Sequence, residues 1–326
     1  MPAEPFDVDA LRRSLRPLDL SLPFAPSDEQ QAYLDFYGID FKNSVADVQH
    51  FFGTIDCDRY QVACHYFAKA NAERSCFVVH GYMDHSALYK KLIDYLLHRG
   101  CNVIAIDLPG HGLSTGTAAS IPSFGDYVLV LRQCLEFFYR RVTTPWHVVA
   151  QSMGGAITMD YLLSQQYDEK TGPFDRVLLL APLVRPKGWR GMRLAHWALK
   201  GIVRHVRRNF SNNSHDPAFV DFLKHRDPLQ VKRIPVAWVT AMLRWERRFR
   251  DLSWSDLEVL VVQGEGDGTV DWRYNLAQID DKFPRAKFMR INDARHHLVG
   301  ESDEYFDRVV QAADIYFERR QQPREE

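Results

Sequence analysis

The chain has 326 residues, 46% of them hydrophobic and 25% charged, with a formal net charge of −1. That is the profile of a soluble globular protein, long enough for one α/β domain with an insertion or for two domains. It excludes a global electrostatic pull toward nucleic acid, and the longest apolar run, residues 177–184, is far too short to span a bilayer.

From the N-terminus, M-P-A-E-P-F-D-V-D carries acidic residues and no apolar stretch of signal-peptide length, so no targeting segment is expected. Residues 1–50 are expected to form a helical and loop lead-in, with a helix at Asp28–Tyr37 capped by Ser27. Beyond it, strands are predicted at 61–67, 76–79, 102–106, 147–150, 176–180, 257–262 and 287–291. Helices are predicted at 87–99, 124–140, 152–166, 272–282 and 302–319. Apolar strands alternating with helices predict an α/β fold: a mostly parallel sheet covered on both faces, with its active site at the carboxyl ends of the strands. Residues 182–252 break this rhythm, being rich in tryptophan, arginine and helical spacing. They are expected to form a helical cap inserted between core segments 51–181 and 253–320. The five cysteines, Cys57, Cys64, Cys76, Cys101 and Cys134, are odd in number and not spaced as a zinc site. Several lie in strand-like runs, so reduced core thiols in a cytoplasmic protein are expected.

The chemistry begins at V-V-A-Q-S-M-G-G-A-I-T, residues 148–158, where a strand runs into a helix at Ser152. Such a turn needs small residues two before and two after the serine, and Ala150 and Gly154 are small. The helix N-terminus would favour negative charge developing beside the serine. A serine hydroxyl needs a general base, and the base needs an orienting acid. Asp267 lies in the glycine-rich loop Q-G-E-G-D-G-T-V-D-W past a strand end. Its rival Asp271 directly precedes a helical stretch and suits an N-cap. In N-D-A-R-H-H-L-V-G-E both His296 and His297 are available, and loop position alone does not separate them. His80-Gly81 after the strand C-F-V-V would turn the N–H of Tyr82 toward the serine, making Tyr82 and Met153 the oxyanion donors.

Taken together, these stretches resemble the α/β-hydrolase fold, in its monoglyceride lipase, lysophospholipase and serine-aminopeptidase-like branch. The resemblance spans about residues 53–317 and rests on five stretches: H-G-Y-M-D-H-S-A-L-Y (80–89), D-L-P-G-H-G-L-S-T-G (107–116), A-Q-S-M-G-G (150–155), G-E-G-D-G-T-V (264–270) and A-R-H-H-L-V-G-E (294–301). It implies that Asp107, Gly110 and Gly112 shape a loop beside the active site, that His111 belongs to that loop, and that His296 is the base. Ala150 replaces the branch's first glycine, and His297 its common glutamate. The implied activity is cleavage of a carboxylic ester of a single-chain lipid, a monoacylglycerol or lysophospholipid, with neither metal nor cofactor. Amide cleavage by the same residues and a non-catalytic binding module are the alternatives.

Between Val184 and Phe210 stand eight basic residues and no acidic one: Arg185, Lys187, Arg190, Arg193, Lys200, Arg204, Arg207 and Arg208. Leu194, Trp197, Ala198, Ile202 and Val206 recur at helical spacing, which predicts a basic amphipathic helix. Its apolar face would either cover the pocket or meet an anionic membrane surface.

Overall fold

The computed structural model describes residues 6–22, 24–209 and 212–318. The first five residues, Phe210 and Arg319, on which parts of the sequence reading fall, lie outside the described residues.

Among the described residues ten strands form: β1 (Val48–Cys57), β2 (Tyr60–Lys69), β3 (Arg74–Val79), β4 (Cys101–Ile106), β5 (Trp146–Gln151), β6 (Arg176–Leu180), β7 (His205–Arg207), β8 (Arg233–Pro235), β9 (Leu260–Gly264) and β10 (Lys287–Ile291). Eight of them make one sheet in the order β1-β2-β4-β3-β5-β6-β9-β10. The β1–β2 and β2–β4 pairs are antiparallel, and every later pair is parallel. Side chains alternate between two cores. Phe77 and Val79 of β3, with Val148 and Ala150 of β5, enter one core. Cys76 and Val78, with Val149, enter the other. Both faces are covered, which is why these strands read as unbroken apolar runs.

The helices are α1 (Val8–Ser14), α2 (Asp28–Tyr37), α3 (Lys90–His98), α4 (Phe124–Phe138), α5 (Met153–Ser164), α6 (Trp189–Leu199), α7 (Pro217–Asp221), α8 (Val236–Asp251), α9 (Trp272–Lys282) and α10 (Asp303–Glu318). α4, α5 and α9 cover one face, through residues such as Leu131, Ile157 and Ile279. α3 and α10 cover the other through Leu92, Leu96, Val309 and Ala313, joined there by Leu11, Tyr33 and Leu34 of the lead-in. α2 starts where expected, because Ser27 and Gln30 form a reciprocal capping box. It stops at Gly38, in the left-handed region at φ 63°.

Several element ends differ from the sequence reading. Residues 86–89 wind into a 3₁₀ turn, so the helix expected from residue 87 begins at Lys90. β9 begins at Leu260 rather than 257. β1 and α1 went unpredicted. The amphipathic helix expected through Arg193–Arg207 ends at Leu199, and His205–Arg207 instead pairs antiparallel with Arg233–Pro235. Ile202 and Val206 therefore do not continue the α6 face. All five cysteines are buried and free. No helix among the described residues is long and apolar enough to cross a membrane.

The segment between β6 and β9 is tied to the lead-in through one buried carboxylate. Asp227 accepts a hydrogen bond from the Tyr37 hydroxyl at 2.6 Å, lies 3.1 Å from His85 Nε2, and accepts from Leu229 N and Gln230 Nε2. Burial alone would raise the Asp227 pKa, but His85 and the hydrogen bonds of Tyr37 and Gln230 outweigh it and hold the group below its ordinary value. Tyr37→Phe is expected to lower unfolding stability by about 1–3 kcal/mol, the cost of an under-satisfied buried charge. Urea unfolding would check this, and a midpoint unmoved from wild type would remove Asp227 as a tie.

Candidate active site

β5 ends in Ala150 and Gln151, and α5 begins at Met153. Ser152 between them takes φ 51° and ψ −112°, a conformation that costs a non-glycine residue about 1–3 kcal/mol. Its backbone is pinned by bonds from Ser152 N to Leu180 O (2.9 Å), from Leu183 N to Ser152 O (3.0 Å) and from Ala156 N to Ser152 O (3.1 Å). The helix leaves so close to β3 that a Cβ on Gly154 would lie 2.2 Å from Val79 O. Glycine is therefore required there. Ala150, where the usual pattern has glycine, fits as a fully buried core residue.

The three sequence-predicted groups meet at this turn. His296 Nε2 lies 3.0 Å from Ser152 Oγ, and His296 Nδ1 lies 2.7 Å from Asp267 Oδ2. A carboxylate only accepts, so Nδ1 carries the proton and Nε2 presents its lone pair to the serine. Asp267 Oδ1 accepts from Thr269 N (2.7 Å) and Val270 N (3.1 Å), and Oδ2 also accepts from Gln263 Nε2 (3.1 Å). Burial opposes charge on both partners. It is outweighed by their mutual attraction and hydrogen bonds, so the Asp267 pKa is lowered and the His296 pKa raised, with Asp84 adding to the latter. Asp271 stands at the N-cap of α9 and makes no side-chain cap bond, and it is Asp267 that pairs with His296.

His297 points elsewhere. Its Nε2 lies 3.2 Å from Asp84 Oδ2, an ion-pair distance without hydrogen-bond alignment. Its backbone N donates to Asn213 O at 2.9 Å, and Thr269 Oγ1 meets Asn213 Oδ1 at 3.0 Å. One residue between β6 and β9 thus holds both the histidine loop and the aspartate loop. Glu301, fully buried, accepts from Arg295 N (2.7 Å) and His215 N (2.6 Å), bracing the stretch that carries His296.

The His80-Gly81 turn passes over the serine, since a Cβ on Gly81 would lie 3.4 Å from Ser152 Cβ. His80 Nδ1 donates to Gly81 O (2.7 Å), and its Nε2 accepts from Leu108 N (2.8 Å), which joins this turn to the D-L-P-G-H-G loop. In that loop Asp107 accepts from Ser86 N and Leu113 N, both at 2.8 Å, and a Cβ on Gly112 would lie 2.1 Å from its Oδ2. His111 donates from Nδ1 to Pro109 O (3.0 Å) and lies beside the Tyr82 ring, away from the serine–histidine pair. Met153 is the first residue of α5, so its N–H has no partner within the helix. The Tyr82 ring stacks on Trp238 of α8 at 3.6 Å between centroids, and its hydroxyl donates to Ala119 O at 2.8 Å. Sequence reasoning passed over Asp84, Tyr89, Gln263, Asn213 and Trp238. Asp84 and Tyr89 stand inside the motif at 80–89, but their contacts depend on how that turn folds back.

Known proteins share this architecture. The chain is 24% identical over 204 residues to phospholipase YtpA of Bacillus subtilis (strain 168), covering 60% of this chain and 76% of that protein. It is 23% identical over 271 residues to a monoglyceride lipase homolog of monkeypox virus, covering 79% and 95%. A soluble variant of monoglyceride lipase from Saccharomyces cerevisiae, solved with a substrate analog, superposes with a TM-score of 0.69 at 16% identity, over 86% of this chain and 97% of the other. The sheet order and this superposition define an α/β-hydrolase fold. With the profile described as serine aminopeptidase, S33, matching residues 70–303, the chain belongs to that family of α/β-hydrolases.

Proposed function

We propose that this protein is a serine hydrolase that cleaves carboxylic esters of single-chain lipids through an acyl-enzyme intermediate. Ser152 Oγ attacks the acyl carbonyl carbon while His296 Nε2 takes its proton. Asp267 fixes the tautomer of His296 and offsets the charge of the imidazolium. The N–H groups of Tyr82 and Met153 donate to the oxyanion. On collapse, His296 gives its proton to the leaving alcohol, and the acyl group stays on Ser152. Water then attacks the acyl carbon as His296 takes its proton. The Ser152 ester bond breaks, the proton returns to Ser152 Oγ, and the acid leaves. The cycle balances without a metal or cofactor.

Distances of 3.0 Å from His296 to Ser152 and 2.7 Å to Asp267 carry this assignment. For the substrate class, support comes from relatives named phospholipase and monoglyceride lipase homolog. Residues 182–252 are read as a cap over the strand ends, and Trp238 against Tyr82 supplies an aromatic wall there. The outer face of this cap suits an anionic lipid surface. Leu194, Trp197, Ile202 and Val206 are 67%, 72%, 80% and 49% exposed, so they do not cover a pocket. Arg190, Arg193, Lys200, Arg204 and Arg207 are exposed among them, and each would contribute about 1 kcal/mol near anionic headgroups. The aminopeptidase of the family description favours amide cleavage as a second reading. A substrate amine would need an acidic neighbour, and this cap face is basic.

p-Nitrophenyl esters from acetyl to palmitoyl, run beside amino-acid p-nitroanilides, test the assignment. Ser152→Ala is expected to cut ester turnover by at least about 10⁴-fold, and Asp267→Asn by a similar order. Equal activity in Ser152→Ala and wild type would end the serine mechanism, and p-nitroanilide turnover exceeding ester turnover would favour the amidase. His296 must be neutral to act, and its pKa is raised above 6.5. Wild-type kcat/KM should therefore fall on the acid side with a midpoint above 6.5, and Asp267→Asn should move any residual midpoint lower. Separately, the protein should sediment with phosphatidylglycerol-containing vesicles at low salt and release at high salt. Trp197→Ser combined with Arg193→Glu should weaken that binding by about 30-fold or more, since the charge changes by two units at about 1 kcal/mol each. Equal sedimentation with neutral vesicles would rule out the electrostatic contact.

A further inference from the structure

Behind the Gly81 turn lies a second buried acid with its own partners. Asp84 N returns to Gly81 O at 3.2 Å, and Met83 within the turn takes φ 63°. The turn is so tight that a Cβ on Gly81 would lie 2.8 Å from Asp84 Oδ2 on one side and 3.4 Å from Ser152 Cβ on the other. Gly81 N donates to the Tyr89 hydroxyl at 2.9 Å, and that hydroxyl lies 3.1 Å from Asp84 Oδ2. All three residues are buried.

The proton order in this chain is fixed. The Gly81 amide only donates and the carboxylate only accepts, so the phenol proton goes to Asp84 and the phenol oxygen receives the amide. A charged acceptor polarises the phenol and strengthens its oxygen as an acceptor. The peptide following Gly81 carries the Tyr82 N–H, so the chain controls the direction of that N–H. We propose that Tyr89 and Asp84 are positioning residues: through the Gly81 amide they aim the Tyr82 N–H at the oxyanion. This rests on the hydrolase assignment above and extends it to two residues that touch no reacting atom.

Charged and titratable groups face Asp84 from every side. His297 comes from the loop after β10, His80 and Tyr89 from its own segment, and Arg208 from between β6 and β9. His296 is faced by Asp267 and Asp84. Asp84 adds to Asp267 in raising the His296 pKa, so neutralising Asp84 is expected to lower it.

The test uses the full chain and the p-nitrophenyl ester that wild type turns over best. Tyr89→Phe is expected to lower kcat by about 10- to 100-fold, part of the loss seen when an oxyanion donor is removed outright. KM should stay within about twofold, since an interaction made only in the transition state is lost. Asp84→Asn keeps the shape and should lower kcat by a smaller factor while shifting the acid limb of kcat/KM to lower pH. Thermal unfolding and fluorophosphonate labelling of Ser152 verify that each variant is folded, and Asp84→Asn carries the test if Tyr89→Phe is not. Wild-type kcat in the folded variants overturns the proposal while leaving the Ser152 mechanism intact. No Ser152-dependent hydrolysis in wild type would instead overturn the hydrolase assignment, and the positioning roles with it.

Discussion

Ser152 occupies the point where a buried strand has to reverse into a buried helix, at φ 51° and ψ −112°. That backbone is unfavourable in isolation, and the surroundings over-determine it. Its N–H is committed to Leu180, its carbonyl to Ala156 and Leu183, and the space beside it admits no Cβ at position 154. The side chain is thereby lifted out of the strand toward the loops that follow β9 and β10, from which Asp267 and His296 arrive. Every other element of the site answers to that one strained residue. The parallel strands bring the loops to the same edge, the β3 turn lies over the serine, and α5 supplies its unpaired first amide.

Histidine–carboxylate pairs recur around this edge: His296 with Asp267, His297 with Asp84, and His85 with Asp227. Burial opposes charge at each of these carboxylates, and close basic partners keep it there. Asp267 and Asp227 also receive two backbone or amide donors or more, which keeps the imidazole from having to satisfy them alone. The edge of the sheet above the strand ends is a low-dielectric region in which charge has already been installed. Under the proposed mechanism, a transition state gathering negative charge there would meet fixed dipoles and need little reorganisation.

The parallel half of the sheet was legible in the sequence because burial on both faces writes strands as continuous apolar runs. β1 was not, because Gln49, Thr54 and Asp56 interrupt a strand that lies at the sheet edge. The basic stretch misled for a different reason. Leu194, Trp197, Ile202 and Val206 keep a helical spacing, yet the chain leaves the helix after Leu199, near Gly201, and re-forms as a strand ladder, which depends on a partner some thirty residues away. At the site, the Ser152 motif is local and was readable as it stood. Choosing between His296 and His297 needed the family resemblance, since adjacent loop residues project differently and only folding assigns one to Ser152 and the other to Asp84. The Asp84–Tyr89 link was present in the quoted motif but had no sequence rule to announce it.

The lead-in helix α2 and strand β1 precede the stretch that matches the family, residues 70–303. Yet the Tyr37 hydroxyl from α2 reaches Asp227, and β2 pairs along the edge of β4. A fragment trimmed to the matched stretch would keep Ser152, Asp267 and His296 but lose a donor to a buried acid and bare a strand edge. The limits of the family match and the limits of the contacts that hold this fold together fall at different places in this chain, and Ser152, Asp267 and His296 lie inside both.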